Sequence, residues 1–419
     1  MRIAIWASGS RGDVQPYIAL GVGLHRAGHG VRLITNENYQ SLVTSFGLEC
    51  WPIKGNVQEV IDTPEMRELI EKGNFLAITA KTADAAKRAA VDWAREGLIA
   101  CQDTDLLVAG LGGMFVGLAL AEKLDIPMIQ AQVVPFTPTR AFPGVLLPPS
   151  LGRLGGAVNR LSHDLTRQAM WQGIRGADTL MRRDVLDLPA LPLSGPFNSE
   201  RLRHAPTLYG FSPSVIPKPA DWGAAVHVTG FWFLDSDAVW TPDAELVDFL
   251  EAGPPPVYVG FGSMSNRNPE TTASLVLEAL AETRQRAVLL SGWGGLRAVQ
   301  LPDTVFLADA IPHDWLFPRM AAIVHHGGAG TTAAGLRAGV PSIVVPYFGD
   351  QPFWGKRIET LGVGPAPIAR KQLTARRLAA AIERAVTDQL MRRRAADLGA
   401  RIRAEDGVAA AVAIISQHL

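Results

Sequence analysis

Eight consecutive positions, His325-His326-Gly327-Gly328-Ala329-Gly330-Thr331-Thr332, follow an apolar strand (Ala322–Val324) and precede a helical pattern (Ala333–Ala338). Three glycines permit close backbone approach and unusual dihedrals. The start of a helix carries unpaired amide N–H groups with partial positive charge, so it receives anions, and an imidazole beside it adds a donor. A turn closed by an N-cap threonine is the plainer reading of the same residues. No lysine follows the glycines, which excludes a Walker phosphate loop, and no glycine loop in the chain fits the dinucleotide fingerprint.

Asp350 lies eighteen positions beyond Thr332 and is followed by Gln351 and Pro352, after a strand at Ser342–Val345. An acid beside an amide suits vicinal sugar hydroxyls, since Asp accepts while Gln both accepts and donates. Asp350 also fits an N-cap with Pro352 in the first helical turn. Near the amino end, Ser10, Arg11 and Asp13 stand in a polar glycine loop, Ser8–Val14. A carboxylate with an ordinary pKa of about 3.9 is ionised at neutral pH and can accept a proton as a bond forms to an incoming hydroxyl. Asp13 also fits a cap for the helix that Pro16 begins, and Arg11 a solvated surface charge. The triplets Asp103-Thr104-Asp105 and Asp235-Ser236-Asp237 border strands and read as edge polar residues, so no metal site is expected.

The elements that must position these residues alternate along the chain. A strand at Ile3–Ala7, the Ser8–Val14 loop, a helix from about Gln15 to Ala27 and a strand at Val31–Thr35 form a parallel crossover. Strands follow at Leu106–Ala109 and Pro127–Gln132, then a proline-rich stretch, Pro135–Pro149, and helices at roughly Leu154–Arg182. The run Tyr209–Pro219 (YGFSPSVIPKP) has three prolines and reads as a linker. Beyond it the alternation restarts, with strands at Val226–Thr229, Val257–Phe261, Ala287–Ser291, Thr304–Leu307, Ala322–His325 and Ser342–Val345. After Thr374 the pattern is helical. The organisation read from this is α/β: a first domain at 1–212, a linker at 213–219, a second domain at 220–396 and a helical segment at 397–419. Both domains are doubly wound parallel sheets of the Rossmann type, and two such sheets facing each other would make a cleft at the carboxyl ends of their strands.

Composition narrows the partners. The chain has 419 residues, 47% of them apolar and 19% charged, with forty basic against forty acidic side chains. No net field draws it to nucleic acid or to an anionic membrane, which leaves only a local patch for either. Two cysteines, Cys50 and Cys101, are too few for a disulfide framework or a thiolate zinc site, which fits a reducing compartment. The five apolar residues Ile3–Ala7 are too short for a signal-peptide core. The longest uncharged apolar stretch, Leu106–Ala121, has 16 residues and four glycines, short of the roughly 20 residues that cross a bilayer. The expectation is a cytoplasmic protein without stable membrane insertion.

The block Asp309–Gln351 resembles the donor-binding signature of nucleotide-sugar glycosyltransferases with the two-domain GT-B fold, most closely the family with sterol glucosyltransferases and bacterial antibiotic glycosyltransferases. Gly9-Ser10-Arg11-Gly12-Asp13-Val14-Gln15-Pro16 and Gly260-Phe261-Gly262-Ser263-Met264 are similar to further loops of that family, while segments 54–104 and 142–203 match only loosely. The resemblance implies that His326, Gly328, Ala329, Gly330 and Thr331 hold the donor diphosphate and that Ser263 reaches the phosphate or the sugar; by their place in the first loop, Ser10 and Arg11 are candidate diphosphate contacts. It implies that Asp350 and Gln351 hold the sugar, and that Asp13 is the general base where many relatives have a histidine. Many relatives begin the signature with a base-stacking tryptophan. Ala310 occupies that place, leaving Trp293 and Trp315 as aromatic substitutes, Trp315 equally as a core residue. The final helices would return to the first domain.

The expected activity is inverting, metal-independent transfer of a hexose from a UDP- or dTDP-sugar, which is a substrate; no cofactor is implied. The expected partner is a lipophilic acceptor such as a sterol, terpenoid or polyketide. Val133–Pro149 with Met170, Trp171 and Met181 would supply its wall, or pack as ordinary core. Rival readings are a nucleotide-sugar 2-epimerase of the same fold, which needs no acceptor, and a non-catalytic nucleotide-sugar-binding subunit. A nicotinamide dehydrogenase lacks its fingerprint.

Overall fold

The computed structural model describes residues 1–55, 63, 65–66, 69, 75–235, 240–261, 269–290 and 301–418, with residues 75–86 and 269 by their backbone alone. The chain forms two compact units, Met1–Ile61 with Asn74–Leu234 and Glu405–Leu419, and Asp62–Gly73 with Asp235–Ala404.

The first unit is built on seven parallel strands: β1 (Arg2–Trp6), β2 (Gly30–Asn36), β3 (Glu49–Ile53), β4 (Leu106–Ala109), β5 (Met128–Gln132), β6 (Thr207–Tyr209) and β7 (Val226–Val228). Their order is β3-β2-β1-β4-β5-β6-β7. β1 and β4 are apolar and buried on both faces from Ile3 to Trp6 and from Leu106 to Ala109, as strands covered by helices on both sides must be. The order reverses between β1 and β4, and this switch point is where an open sheet admits a ligand. The loop that leaves β4 starts against the end of β1 there: the Gly110 N–H donates to the Trp6 carbonyl at 2.9 Å.

Two boundaries differ from the sequence reading. Val226–Val228 is expected to open the second domain, yet Thr207 pairs with Val226 and extends the first sheet. The proline-rich run before it folds into the first unit, where Trp222 stacks on Tyr209 with ring centroids 4.8 Å apart. The prolines keep the run out of regular structure without marking a boundary. At the other end, the helix Gln389–Arg403 stays in the second unit, and only the helix Gly407–Gln417 joins the first. It packs on the helix Arg11–Arg26 at Gly23, where a Cβ would stand 2.3 Å from Val408 Cγ1. Glu405 fixes its approach, its Oε1 accepting from the Ser212 and Ser214 hydroxyls, each at 2.8 Å.

The second unit has five parallel strands, β8 (Val257–Gly260), β9 (Ala287–Leu290), β10 (Val305–Ala308), β11 (Ala322–His325) and β12 (Ser342–Val344), in the order β10-β9-β8-β11-β12. Val257, Val259, Leu289 and Val324 pack with Ala273, Val276, Leu378 and Ile382. The alternate residues Tyr258, Val288 and Ile323 pack with Leu246, Leu316 and Phe317. Both faces are thus covered, and the reversal lies between β8 and β11. The glycine loop after β11 opens at that switch point.

Candidate functional site

In the first unit, β1 runs through Ala7 and Ser8 into Gly9, whose φ of +140° suits glycine. A side chain there would also collide with Asp13, since its Cβ would lie 2.6 Å from Asp13 Oδ2. Ser10 is the N-cap of a helix that starts at Arg11, four residues earlier than the sequence pattern indicates, with Pro16 inside it. Asp13 therefore stands in the first turn rather than in a loop, and it does cap: its Oδ2 accepts from the Ser10 N–H at 2.9 Å and the Ser10 hydroxyl at 2.8 Å. Both bonds fall on Oδ2. Among the described residues nothing bonds to Oδ1, so capping leaves one carboxylate oxygen to accept a proton from elsewhere.

Burial pushes the Asp13 pKa up from the ordinary carboxylate range, against the two Ser10 hydrogen bonds that pull it down. A carboxyl shifted upward is a stronger base than an ordinary aspartate. Tyr17, one turn on, donates its hydroxyl proton to the Ala131 carbonyl at 2.7 Å. Its pKa is raised by burial and then by the Asp13 charge, which places the phenol in the field of that carboxylate. Arg11 is exposed and donates to Gln15 Oε1 at 3.1 Å, so it reads as a surface residue in this structure.

The carboxyl edge of the first sheet carries further polar groups that the sequence reading passed over. Ser8 Oγ, Thr35 Oγ1 and both side-chain polar atoms of Gln132 are buried without hydrogen-bond partners. Polar groups buried unpaired are costly, so a ligand that pairs them at this edge is favoured. The available signal is Gln132, a polar residue at the carboxyl end of β5. Asn36 holds the β1 loop, accepting the Gly9 N–H at 3.1 Å and donating to the Gly55 carbonyl at 2.6 Å.

The expected acceptor wall changes in composition. Trp171 and Met181 are fully buried core residues, Trp171 packing on Phe115 with centroids 5.6 Å apart. Ring size and thioether flexibility serve packing there. The segment Val133–Pro149 is pinned internally: the Tyr209 hydroxyl accepts from the N–H groups of Phe136 at 3.0 Å and Thr137 at 2.6 Å. Thr139 Oγ1 and the Arg140 N–H bond to Asp221 at 2.6 and 2.8 Å.

In the second unit, β11 ends at His325 and the chain turns through His326, Gly327 and Gly328 into the helix Ala329–Ala338. The helix begins before Thr331 and Thr332, so neither threonine is the cap. Gly328 holds the N-cap place and offers no side chain, which leaves the amides of Ala329, Gly330 and Thr331 at the open helix start. Thr332 is buried one turn in, its N–H donating to the Gly328 carbonyl at 2.9 Å. Gly327 has φ +90°, and a Cβ there would stand 2.6 Å from Val344 Cγ1 and 3.1 Å from the Gln351 carbonyl oxygen. The glycine turn is thus pressed against β12 and the start of the helix Gln351–Leu361.

His325 is core: its Nδ1 accepts the Gly327 N–H at 3.1 Å and shapes the turn. His326 lies over Gly328, where a Cβ would meet its Nε2 at 2.4 Å, and its Nδ1 is buried without a partner. Burial lowers the His326 pKa to about 4, so the ring is neutral at pH 7 and offers a hydrogen bond rather than a charge. His163, buried in the first unit, is likewise lowered to about 4 by burial. An unfolded histidine of pKa about 6.5 takes up a proton that these folded ones refuse. Their stabilising contribution is therefore complete above about pH 6.5 and lost as pH falls toward 4. The difference between wild-type and His326→Gln thermal midpoints, recorded from pH 8 to pH 4, should change across that window. A flat difference would contradict it.

Asp350 occupies the N-cap place of the helix Gln351–Leu361, but its side chain does not cap; Oδ2 accepts from Trp354 Nε1 at 2.7 Å. Gln351 is buried, and its Oε1 accepts from the N–H groups of Tyr347 at 2.7 Å and Phe348 at 3.2 Å. The structure brings this pair beside the glycine turn, with both side chains engaged in holding their own turn. Trp315 packs against Trp240 at 5.2 Å under the Arg319 guanidinium at 4.2 Å. Ser263 and Trp293 lie outside the described residues.

The acidic triplets fall elsewhere. Asp103 pairs with Arg32 at 2.9 Å, and Asp105 accepts the Arg2 N–H at 2.7 Å, at the amino edge of the sheet. Asp235 pairs with Arg337, and its triplet partners lie outside the described residues. Among the described residues no three His, Cys, Asp or Glu side chains gather in a way that could hold a metal ion.

Two family models match, the glycosyltransferase family 28 N-terminal domain over residues 3–143 and the erythromycin biosynthesis protein CIII-like C-terminal domain over 274–415. The sterol 3-beta-glucosyltransferase UGT80B1 of Arabidopsis thaliana is 38% identical over 433 residues, covering 100% of this chain and 68% of its own. The chain belongs to the glycosyltransferase family of the sterol 3-beta-glucosyltransferases. A sterol 3-beta-glucosyltransferase of Aspergillus fumigatus is also 38% identical over the whole chain, of which it represents 30% of that protein's length. The chain thus spans about two thirds of its plant relatives and under a third of its fungal ones. Among solved structures, the calicheamicin glycosyltransferase CalG4 superposes with a TM-score of 0.71 at 19% identity, covering 100% of this chain and 98% of that one. The two parallel-sheet units are those of a GT-B fold.

Proposed function

We propose that this chain transfers a hexose from a UDP- or dTDP-sugar to a hydroxyl of a lipophilic acceptor, with inversion at the anomeric carbon and without a metal. The observation that carries the reading is the helix start at Ala329: no side chain caps it, a positive-φ glycine aims it, and a neutral imidazole with a buried, unpaired nitrogen stands beside it. A diphosphate would answer these donors. Ala329, Gly330 and Thr331 would supply backbone N–H groups, the helix its positive end, and His326 a further hydrogen bond to the leaving phosphate. Asp350, held in place through Trp354, would meet the sugar hydroxyls.

In the proposed reaction the acceptor oxygen attacks the anomeric carbon while the bond from that carbon to the phosphate oxygen breaks. The acceptor proton passes to Asp13 Oδ1, and the electron pair of the broken bond leaves with the nucleoside diphosphate. Ser10 keeps Oδ2 occupied and so orients the carboxylate. Buried, unpaired Gln132 and Ser8 would meet the acceptor hydroxyl or the sugar, and the raised pKa of Asp13 suits proton uptake during bond formation.

The test is a thermal-shift screen of UDP- and dTDP-sugars, followed by turnover of the best donor with a panel of sterols, terpenoid alcohols and phenols in EDTA. An α-linked donor is expected to give a β-linked product, read from the anomeric proton coupling. Retained configuration, loss of turnover in EDTA, or donor conversion without acceptor would each overturn the proposal.

A further inference from the structure

Of the seven large apolar side chains most exposed among the described residues, four gather at one place on the first unit: Leu154, Leu161, Leu165 and Leu193, each more than half exposed. Leu161 and Leu165 are one turn apart on the helix Gly156–Asp184, and Gln168 and Gln172 continue the same face at spacings of three and four. Gln172 donates to the Leu193 carbonyl at 2.8 Å and Gln168 to the Ser194 carbonyl at 2.7 Å, which sets Leu193 along that face. Leu154 stands two residues ahead of the helix. The result is an open leucine stripe, where a water-facing helix of a monomer normally scatters such residues singly.

Its rim is basic. Arg140, Arg153 and Arg160 are exposed on the side of the stripe nearest the helix start, with Asp164 as the exposed carboxylate on that helix turn. Asp221, which faces Arg140 and Arg160, has its oxygens taken by Thr139 and the Arg140 N–H. Leucines projecting between arginines match a bilayer surface bearing anionic lipid, the leucines entering the acyl boundary and the guanidinium groups meeting phosphates. A second protein copy is a poorer match, because a stable interface buries about 800 Å² on each partner and a stripe of four leucines falls well short of it. No helix among the described residues is long and apolar enough to cross a membrane, so contact would be at the surface.

We propose that this stripe docks the first unit onto an anionic membrane surface. The inference does not rest on the transfer chemistry and is tested without it. The full chain is sedimented with vesicles of phosphatidylcholine and phosphatidylglycerol in equal parts, and with phosphatidylcholine alone. The wild type is expected to partition into the mixed vesicles, more weakly into the neutral ones, with binding falling as salt rises. The double variant Leu161→Asp with Leu165→Asp, both exposed positions, should lower the partition by about tenfold or more while its melting temperature stays unchanged. Arg153→Glu with Arg160→Glu should remove the preference for phosphatidylglycerol. Failure of the wild type to bind the mixed vesicles, equal binding to both, or unchanged binding by the leucine variant overturns the proposal. A stable dimer that the leucine variant dissociates would assign the stripe to a second copy and overturn it as well.

Discussion

Replacing Asp13 with Asn is expected to lower kcat by about a thousandfold, the order a positioned general base supplies, with affinity for the nucleotide sugar unchanged. Asn keeps an oxygen to accept from Ser10, whose two bonds to Oδ2 cap the helix, but it cannot take up the acceptor proton. Stability should move the other way. Because burial raises the Asp13 pKa, the folded protein favours the protonated form; the stabilising contribution is full below the ordinary carboxylate range and lost as pH rises through the raised value. At pH 7 an uncharged amide avoids that cost, so the thermal midpoint of Asp13→Asn should not fall below wild type. Saturating turnover, donor titration and calorimetry read the three effects separately. Near-normal turnover would remove Asp13 from the chemistry, and a lowered midpoint with lost turnover would reduce it to a helix cap.

Gly327→Val carries the second large effect. Its φ of +90° is strained for any side chain, and the added atoms would meet Val344 Cγ1 at 2.6 Å and the Gln351 carbonyl at 3.1 Å. Backbone strain and overpacking together should destabilise the fold by about 2–4 kcal/mol, measured by urea unfolding. What survives should bind donor at least about tenfold more weakly, since the displaced turn no longer aims the Ala329 helix start. Gly349→Ala separates the two causes: its φ is +67°, yet nothing lies within 4 Å of the new Cβ. That variant should lose only about 1 kcal/mol. Equal losses in the two variants would show that crowding at Gly327 contributes nothing.

The strands that carry the site were legible because they are short, apolar and bounded by glycine or charge; β4 and β11 fall at the residues the pattern indicates. β3 was not, since Glu49-Cys50-Trp51-Pro52-Ile53 mixes charge and proline in an edge strand, a place that tolerates both. β6 has three residues, too few for periodicity to register, whereas β7 is legible as a strand at Val226 and only its sheet is not. Helix starts were read late at both loops. At the first, Pro16 drew the start toward itself although Ser10 already caps the chain. At the second, two threonines looked like caps, while Gly328 takes that place and leaves the amides open. The engagement of Gln351 with Tyr347 and Phe348 depends on a turn whose shape exists only in three dimensions. Likewise, Trp171 and Met181 could be wall or core by residue type, and only burial separates the two.

The helix Gly407–Gln417 rests on the helix Arg11–Arg26 and belongs to the first unit, yet the whole Asp235–Ala404 stretch is made before it. On the ribosome, therefore, the amino-terminal sheet must wait with the Gly23 side of its first helix uncovered and the Ser212 and Ser214 hydroxyls without Glu405. The usual order, in which the earlier domain is finished before the later one is begun, is inverted for that surface. A nascent chain halted after Ala404 leaves apolar residues beside Gly23 open to chaperones, and the arrival of Val408 ends that exposure.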